Sequence, residues 1–392
     1  MGRPTLWGGR HGGGGEETGA VETDTVEGGR GQRGGGSDVD VTDARHRHVT
    51  DHRLRSTQYR GIMAQSEAIR LPSGVTGKNI AKDQVKSTVE SYAKYHDVYG
   101  GDQEFRKSNY SDLVNKYYDL ISSFIEYRWG QSFHFAPRWH GETRRESIKR
   151  FEHFVALQLG LKKGMKVLDV GCGIGGPLRE IARFSSTEVT GLNNNTYQIS
   201  RGKELNSSTG LSVQCNFVKG DFMDMPFPDN MFDAAYAIEA TIHAPDALRA
   251  YMEIYRVLKP GQCFALDELC LTDRFDANNV KHRDIKAQIE LGCGLPDLRT
   301  TGQCIQAMKD AGFEIVFAKD LAEDSPCPWY EEVDPGCFAC TSFSNSRVGR
   351  FITAGITGTL EFLRIVPKGS SKLFSIMQTA NDSLVTGSRS LP

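Results

Sequence analysis

The stretch Asp169-Val170-Gly171-Cys172-Gly173-Ile174-Gly175-Gly176 joins a short apolar run to a helical one. Glycine lets a backbone turn sharply and lets a ligand approach it closely, and the amides that open the following helix face whatever group is bound there. Dinucleotide enzymes hold a pyrophosphate at such a turn. Any tight strand-to-helix turn would use the same residues, so the glycines alone leave both readings open. Further on, Gly220-Asp221-Phe222 follows another strand-like run, and Asp221 is either a ligand group or a turn residue. The run ending at Ile238 is followed by Glu239 and, a short turn later, His243. Ligands of parallel sheets collect beyond the carboxyl ends of the strands, which places Glu239 and His243 beside the glycine turn; a purely structural role for His243 stays open. The segment Phe124 to Phe135 sets the rings of Tyr127, Trp129, Phe133 and Phe135 around Glu126 and His134. Such a segment is a candidate site, and an aromatic core patch with two incidental polar groups has the same composition.

The elements that must position these residues follow from periodicity. Leu113, Tyr117, Leu120, Ile121 and Phe124 recur at helical spacing. Thr143 and Glu146 form a capping box for a second helix, striped by Ile148, Phe151, Val155 and Leu159 and stopped at Gly160. The pattern then alternates: strands at 167–170, 188–192, 215–219, 232–238, 262–266 and 313–319, helices at 177–184, 196–206 and 301–311, and one more helix opened by Pro245 and closed at Lys259-Pro260-Gly261. Short apolar strands alternating with helices predict an α/β fold with a parallel sheet covered on both faces.

Composition narrows the function classes. The chain has 392 residues, 39% hydrophobic and 24% charged, with a formal net charge of -2. That is ordinary for a globular protein and argues against a polycation built for nucleic acid. No apolar run reaches the length of a membrane span, and the start lacks a secretory signal. Nine cysteines, with Cys337 and Cys340 as a lone C-x-x-C, predict reduced thiols, a reducing compartment and no metal site. Residues 1–65, rich in glycine and arginine, carry too little apolar surface to offset their ordering entropy and are expected to form a disordered tail.

The D-x-G-x-G-x-G form of the turn resembles the first motif of the class I S-adenosylmethionine-dependent methyltransferases. The aromatic segment resembles the signature Y-E-Y-G-W-G-x-S-F-H-F of the sterol 24-C-methyltransferases, and the likeness spans roughly 80–388, including Lys94 to Gly101, Asn115 to Leu120, Tyr236 to Asp246, Ile289 to Asp297 and Pro328-Trp329-Tyr330. It is nearest to the plant-type members that act on cycloartenol-like sterols. The resemblance implies a Rossmann-like sheet, a helical substrate cap over 80–160, a cofactor-binding domain over 161–320 and a C-terminal region over 321–392. It implies S-adenosylmethionine held by Asp169, Gly171, Gly173, Gly175, Asn193, Asp221 and Phe222. Asn193 stands where the family usually has an acidic residue on the ribose; the same Asn weakens a nicotinamide reading.

The reaction so implied is attack of the sterol's carbon 24 on a methyl group, a cation at carbon 25, a hydride shift from 24 to 25, and loss of a proton to give a 24-methylene sterol. Aromatic faces stabilise such a cation without trapping it, and water must be kept out. The implied catalytic set is Glu126, Glu239, His134 and His243 as candidate bases with Tyr127 and Trp129 beside the cation; Phe133, Phe135 and Tyr236 are the implied sterol contacts. The expected setting is cytoplasmic, peripheral at the endoplasmic reticulum membrane, and homo-oligomeric. A methyltransferase or cyclopropane synthase acting on another lipid alkene, and an inactive sterol-binding homologue, are the competing readings.

Three departures from the family pattern bear on this. Arg128 replaces a glycine, Asp267-Glu268-Leu269 replaces Y-E-W, and the chain ends where the family continues into a final antiparallel strand, so that strand is expected to be missing, with unpaired edges left behind. The apolar stretch Phe351, Ile352, Ile356, Leu360, Phe362 and Leu363 is expected mostly as core packing, with a sterol-pocket or membrane contact as the other readings.

Overall fold

The computed structural model describes residues 4–10, 80, 81, 83–96, 101–336 and 346–390. Residues 11–65 of the expected tail, part of the segment from Lys94 to Gly101, and the Cys337/Cys340 pair lie outside the described residues.

Seven strands form one sheet in the order β4-β3-β2-β5-β6-β1-β7. These are β1 (Pro4–Arg10), β2 (Lys166–Val170), β3 (Glu188–Asn193), β4 (Cys215–Lys219), β5 (Phe232–Ile238), β6 (Leu258–Asp267) and β7 (Phe313–Asp320). Strands β4, β3, β2, β5 and β6 run parallel. Alternate residues of each strand feed different cores. Leu168, Val170, Ala235 and Ala237 pack with Tyr251, Ile254 and Phe264 on one face. Val167, Val189, Ala234 and Tyr236 pack with Leu178, Ile181 and Phe217 on the other. Helices α4 (Arg144–Gln158), α5 (Gly176–Ser185) and α6 (Thr196–Ser208) cover the second face, while α7 (Ala247–Val257) and α9 (Thr301–Asp310) cover the first. The sheet covered on both faces is the one expected.

The sequence reading needs correction at the sheet's far side. The place of the last antiparallel strand is filled by β1, from the segment expected as structureless. β1 lies antiparallel to β6, with Leu6 opposite Leu266, and antiparallel to β7, with Leu6 opposite Ala318. Leu6 is buried in the first core. A Cβ at Gly8 would stand 2.8 Å from Phe313 Cβ, so only glycine lets the strand sit this close. The edges expected to be open on β6 and β7 are therefore paired.

The box of Thr143 with Glu146 caps α4 as expected. Pro245 does not open α7: Asp246 is the cap, its side chain accepting from the Arg249 amide, and the chain enters β6 directly after Val257. Helices α1 (Val85–Lys94), α2 (Gln103–Ser108) and the twenty-residue α3 (Tyr110–Trp129) precede the sheet; α8 (Val280–Cys293), α10 (Arg347–Phe362) and α11 (Ser370–Ser390) complete the chain. A buried ion pair at 2.9 Å from Arg106 to Glu290 ties α2 to α8. The apolar residues of α10 are not core: Phe351, Ile352, Ile356 and Phe362 are exposed. Among the described residues no helix is long and apolar enough to cross a membrane.

Candidate active site

A cleft of about 790 Å³ opens at the carboxyl ends of β2, β3, β4 and β5, roofed by α3 and by the chain at 131–134. The turn after β2 forms its floor. Gly171, Gly173 and Gly175 all have positive φ, at 75°, 53° and 79°, a region costly for other residues. A Cβ at Gly171 would stand 2.5 Å from that of Ala240, whereas one at Gly173 would meet only Phe133, at 3.7 Å. The middle glycine thus faces open cleft. Arg179, buried in α5, holds the turn from behind: its guanidinium donates to the Ile174 carbonyl at 2.9 Å, to Asn206 at 3.1 Å and to Gln131 at 2.9 Å.

Asp169 lines the cleft and accepts from the Tyr236 hydroxyl at 2.9 Å. Burial pushes its pKa up to about 7; the Tyr236 hydrogen bond works in the opposite direction. Tyr236 itself is fully buried behind Asp169, so the sterol contact expected of it is corrected to positioning Asp169. Asn193 donates both amide hydrogens, to the Gly173 carbonyl at 3.1 Å and to Gln198 at 2.8 Å, and its oxygen accepts from the Asn195 amide. It stitches the second strand's end to the glycine turn, and only its oxygen retains capacity for a ligand. Asp221 accepts from the Met223 amide at 2.9 Å and from the Tyr110 hydroxyl. The Phe222 ring stands 6.4 Å from that of Tyr110. Asp169, Gly171, Gly173, Asn193, Asp221 and Phe222 border the cleft, and Gly175 and Tyr236 do not.

The opposite wall carries Glu239, His243 and Tyr118. Glu239 has φ 49°, a left-handed conformation that few non-glycine residues adopt and that clusters at functional sites. Its Oε1 accepts from the Phe135 amide at 2.8 Å. His243 places Nδ1 at 3.2 Å from the Gly294 carbonyl and Nε2 at 2.9 Å from the Tyr118 hydroxyl. A carbonyl only accepts, so Nδ1 carries the hydrogen and Tyr118 donates to Nε2. Burial lowers the His243 pKa to about 4, so the ring is neutral near pH 7.

His134 also borders the cleft, with Nδ1 at 2.7 Å from the Phe135 carbonyl and Nε2 at 3.3 Å from Glu152. Burial opposes its charge, but the hydrogen bond and negative charge of Glu152 outweigh that and raise its pKa. Both nitrogens face acceptors, an arrangement that favours the protonated ring. Glu152 is held in turn by Ser132 at 2.6 Å.

Three candidates fall away. Glu126 is clamped by Arg201, whose guanidinium donates at 3.0 and 2.6 Å, outside the cleft. Tyr127 is 63% exposed. Trp129 packs in the second core with its ring 5.0 Å from that of Phe135 and under the Arg144 guanidinium, also at 5.0 Å; a face already covered by a cation is not free for another. Phe135 sits between Trp129 and Trp329 rather than on the cleft, whereas Phe133 lines it as expected. Arg128 is not among the cleft residues. Asp267 and Glu268 lie behind the 239–243 turn; Glu268 accepts from Thr241 at 2.6 Å and from the Ile242 amide at 3.0 Å. Sequence reasoning missed Tyr110, Val114 and Tyr118, although their i, i+4, i+8 spacing marks one helix face. Among the described residues no cluster suited to a metal is present.

Residues 168–266 match a family model described as a methyltransferase domain, and residues 340–390 one described as sterol methyltransferase C-terminal. The chain is 62% identical over 327 residues to cycloartenol-C-24-methyltransferase 1 of Oryza sativa subsp. japonica, covering 83% of this chain and 95% of that protein. It is 60% identical over 319 residues to cycloartenol-C-24-methyltransferase of Arabidopsis thaliana, covering 81% and 95%. Among solved structures, a geranyl diphosphate methyltransferase in complex with GPP and sinefungin aligns over 72% of this chain and 95% of its own, at 15% identity and TM-score 0.54, a likeness of fold alone.

Proposed function

The chain belongs to the sterol 24-C-methyltransferase family, and from that membership we propose that it transfers a methyl group from S-adenosylmethionine to carbon 24 of a cycloartenol-like sterol, leaving a 24-methylene side chain. The observation that carries the cofactor assignment is electrostatic. Three carboxylates, Asp169, Asp221 and Glu239, border the cleft, and among the described residues no lysine or arginine does. Asp169 is buried, where an ionised carboxylate is costly, and its elevated pKa records that cost. A ligand bearing an ammonium and a sulfonium offsets it.

The residues fit that ligand. The turn around Gly173 with Asp169 would hold its amino-acid end, the Asn193 oxygen its ribose, and Asp221 with Phe222 its adenine. Bound there, S-adenosylmethionine supplies an electrophilic methyl group. Phe133 and Tyr118 offer ring faces to the cationic side chain, each worth about 0.5–2 kcal/mol when desolvated. His134 turns both ring nitrogens to acceptors, the Phe135 carbonyl and Glu152. Glu239 is the candidate base we favour, held at the cleft in a left-handed conformation, while His243 Nε2 is occupied by Tyr118.

Incubation with labelled S-adenosylmethionine and cycloartenol tests the reaction: label is expected in the sterol, and label in acyl chains alone or no transfer overturns it. Glu239→Gln tests the base. Turnover is expected to fall about 10²–10⁴-fold, far more than cofactor affinity does, and the stranded cation to be captured by water as a 25-hydroxylated product. Turnover within a few-fold of the parent removes Glu239 from that role.

A further inference from the structure

Helix α10 is amphipathic with its faces reversed. Val348, Phe351, Ile352, Ile356, Phe362 and Leu363 fall on one side at helical spacing, and that side faces out: Phe351 is 83% and Phe362 86% exposed. The polar side faces in, where Arg350 donates to the Val333 carbonyl at 2.9 Å and pairs with Asp382 of α11. A surface helix normally buries its apolar stripe, and a contiguous exposed apolar face marks a surface that something else covers. The turn that follows keeps the end of the face outward. Arg364 takes φ 58° where glycine is usual, the Ile365 amide closes back on the Leu360 carbonyl at 2.9 Å, and Ile365 joins Leu363 on the surface.

Cations outnumber acids beside this face. Arg364, Lys368 and Lys372 are exposed and border the same end of the helix as Lys86. The acids there are already engaged: Glu361 accepts from the Gly369 and Ser371 amides, both at 2.8 Å, and Glu90 stands 3.6 Å from Lys86. An apolar strip rimmed by an excess of exposed cations complements a bilayer whose headgroups are anionic. A second protein copy would bring the same cations against one another.

We propose that the outer face of α10, with Arg364, Lys368 and Lys372, is a peripheral docking surface for an anionic lipid bilayer. Rings and aliphatic chains enter the headgroup boundary, and the cations meet lipid phosphate and carboxylate. The proposal is independent of the chemistry assigned to the cleft.

The full chain is to be sedimented with vesicles of phosphatidylcholine, with and without phosphatidylserine, at low and high salt. Binding is expected to be stronger with phosphatidylserine and to weaken with salt. Phe351→Asp with Phe362→Asp is expected to lose binding to both vesicles by about tenfold or more. Arg364→Glu with Lys368→Glu and Lys372→Glu is expected to abolish the phosphatidylserine preference, since each cation near such a surface is worth about fivefold. Both variants are expected to keep the thermal midpoint of the parent and its turnover of sterol in detergent micelles. Parent protein that stays in the supernatant, or variants that sediment like the parent, overturns the proposal. So does sedimentation velocity showing that the phenylalanine variant only converts an oligomer to a monomer. Absence of micellar turnover in the parent would count against the methyl-transfer reading and leave the docking result standing.

Discussion

Asp169 must ionise where burial opposes ionisation, and the sign of that opposition fixes a pH dependence. Its pKa rises from 3.8 to about 7, chiefly through burial. The folded chain therefore holds this proton more tightly than the unfolded one, and the penalty for losing it grows as pH rises from 3.8 through 7. A cationic cofactor prefers the ionised form, so binding below pH 7 must release the proton. Affinity for S-adenosylmethionine is expected to rise by up to about tenfold per pH unit on approaching 7 and to level off above it. Calorimetry across that range, in buffers of different ionisation heat, measures both the slope and the proton. Asp169→Asn is expected to bind weakly with a flat profile; a flat profile in the parent would separate Asp169 from the cation. The glycine turn, Asp169, Asp221 and Phe222 were legible in the sequence because each motif is contiguous and a strand end delivers it whole. Glu126, Tyr127 and Trp129 were not. They lie on a helix, where successive side chains diverge by about 100° and Trp129 stands eleven residues, or about 16 Å, beyond Tyr118.

At the level of elements, the cleft depends on joints between pieces that carry no chemistry. Arg179 is the clearest: one buried guanidinium holds α5's own entry turn through Ile174, α6 through Asn206, and the 131–134 roof through Gln131. Replacing it by methionine keeps much of the volume and strands three acceptors. Since a bond to a charged donor is worth about 1.5 kcal/mol or more, Arg179→Met is expected to lose roughly 3–5 kcal/mol of stability in urea titration, and to raise the cofactor's dissociation constant more than it lowers the turnover rate at saturation. Arg179→Lys is not expected to rescue, because a point charge cannot replace the fork. An unchanged urea midpoint in the methionine variant would show that the joint is not needed. Nothing local announced this role: an arginine within an amphipathic stretch is ordinarily a surface residue, and only the meeting of three elements buries it. The capping box at Thr143, by contrast, was legible because both of its partners lie within one turn.

For the molecule as a whole, the element least legible in the sequence is the one that closes the sheet. Pro4–Arg10 holds two glycines and a proline, and its composition alone favours disorder. What makes it a strand is the slot between β6 and β7, two elements more than two hundred and fifty residues away. Among the described residues β7 has no sheet neighbour except β1. Deleting residues 4–10 would therefore detach β7, expose the edge of β6 beside Phe264 and Leu266, and uncover the core around Leu6. At about 0.5–1.5 kcal/mol for each ladder hydrogen bond, with the apolar burial added, the loss approaches the entire stability of a typical domain. The deletion is expected to give a protein with helical far-ultraviolet but no near-ultraviolet circular dichroism, prone to aggregate through its open edges. A synthetic peptide spanning residues 1–13, supplied in trans at high concentration, is expected to restore the near-ultraviolet signal and cofactor binding together, because the cleft sits at the ends of the same strands. A deleted chain that stays monomeric with an unchanged thermal midpoint would show that the sheet closes without β1 and that its pairing adds nothing to the fold.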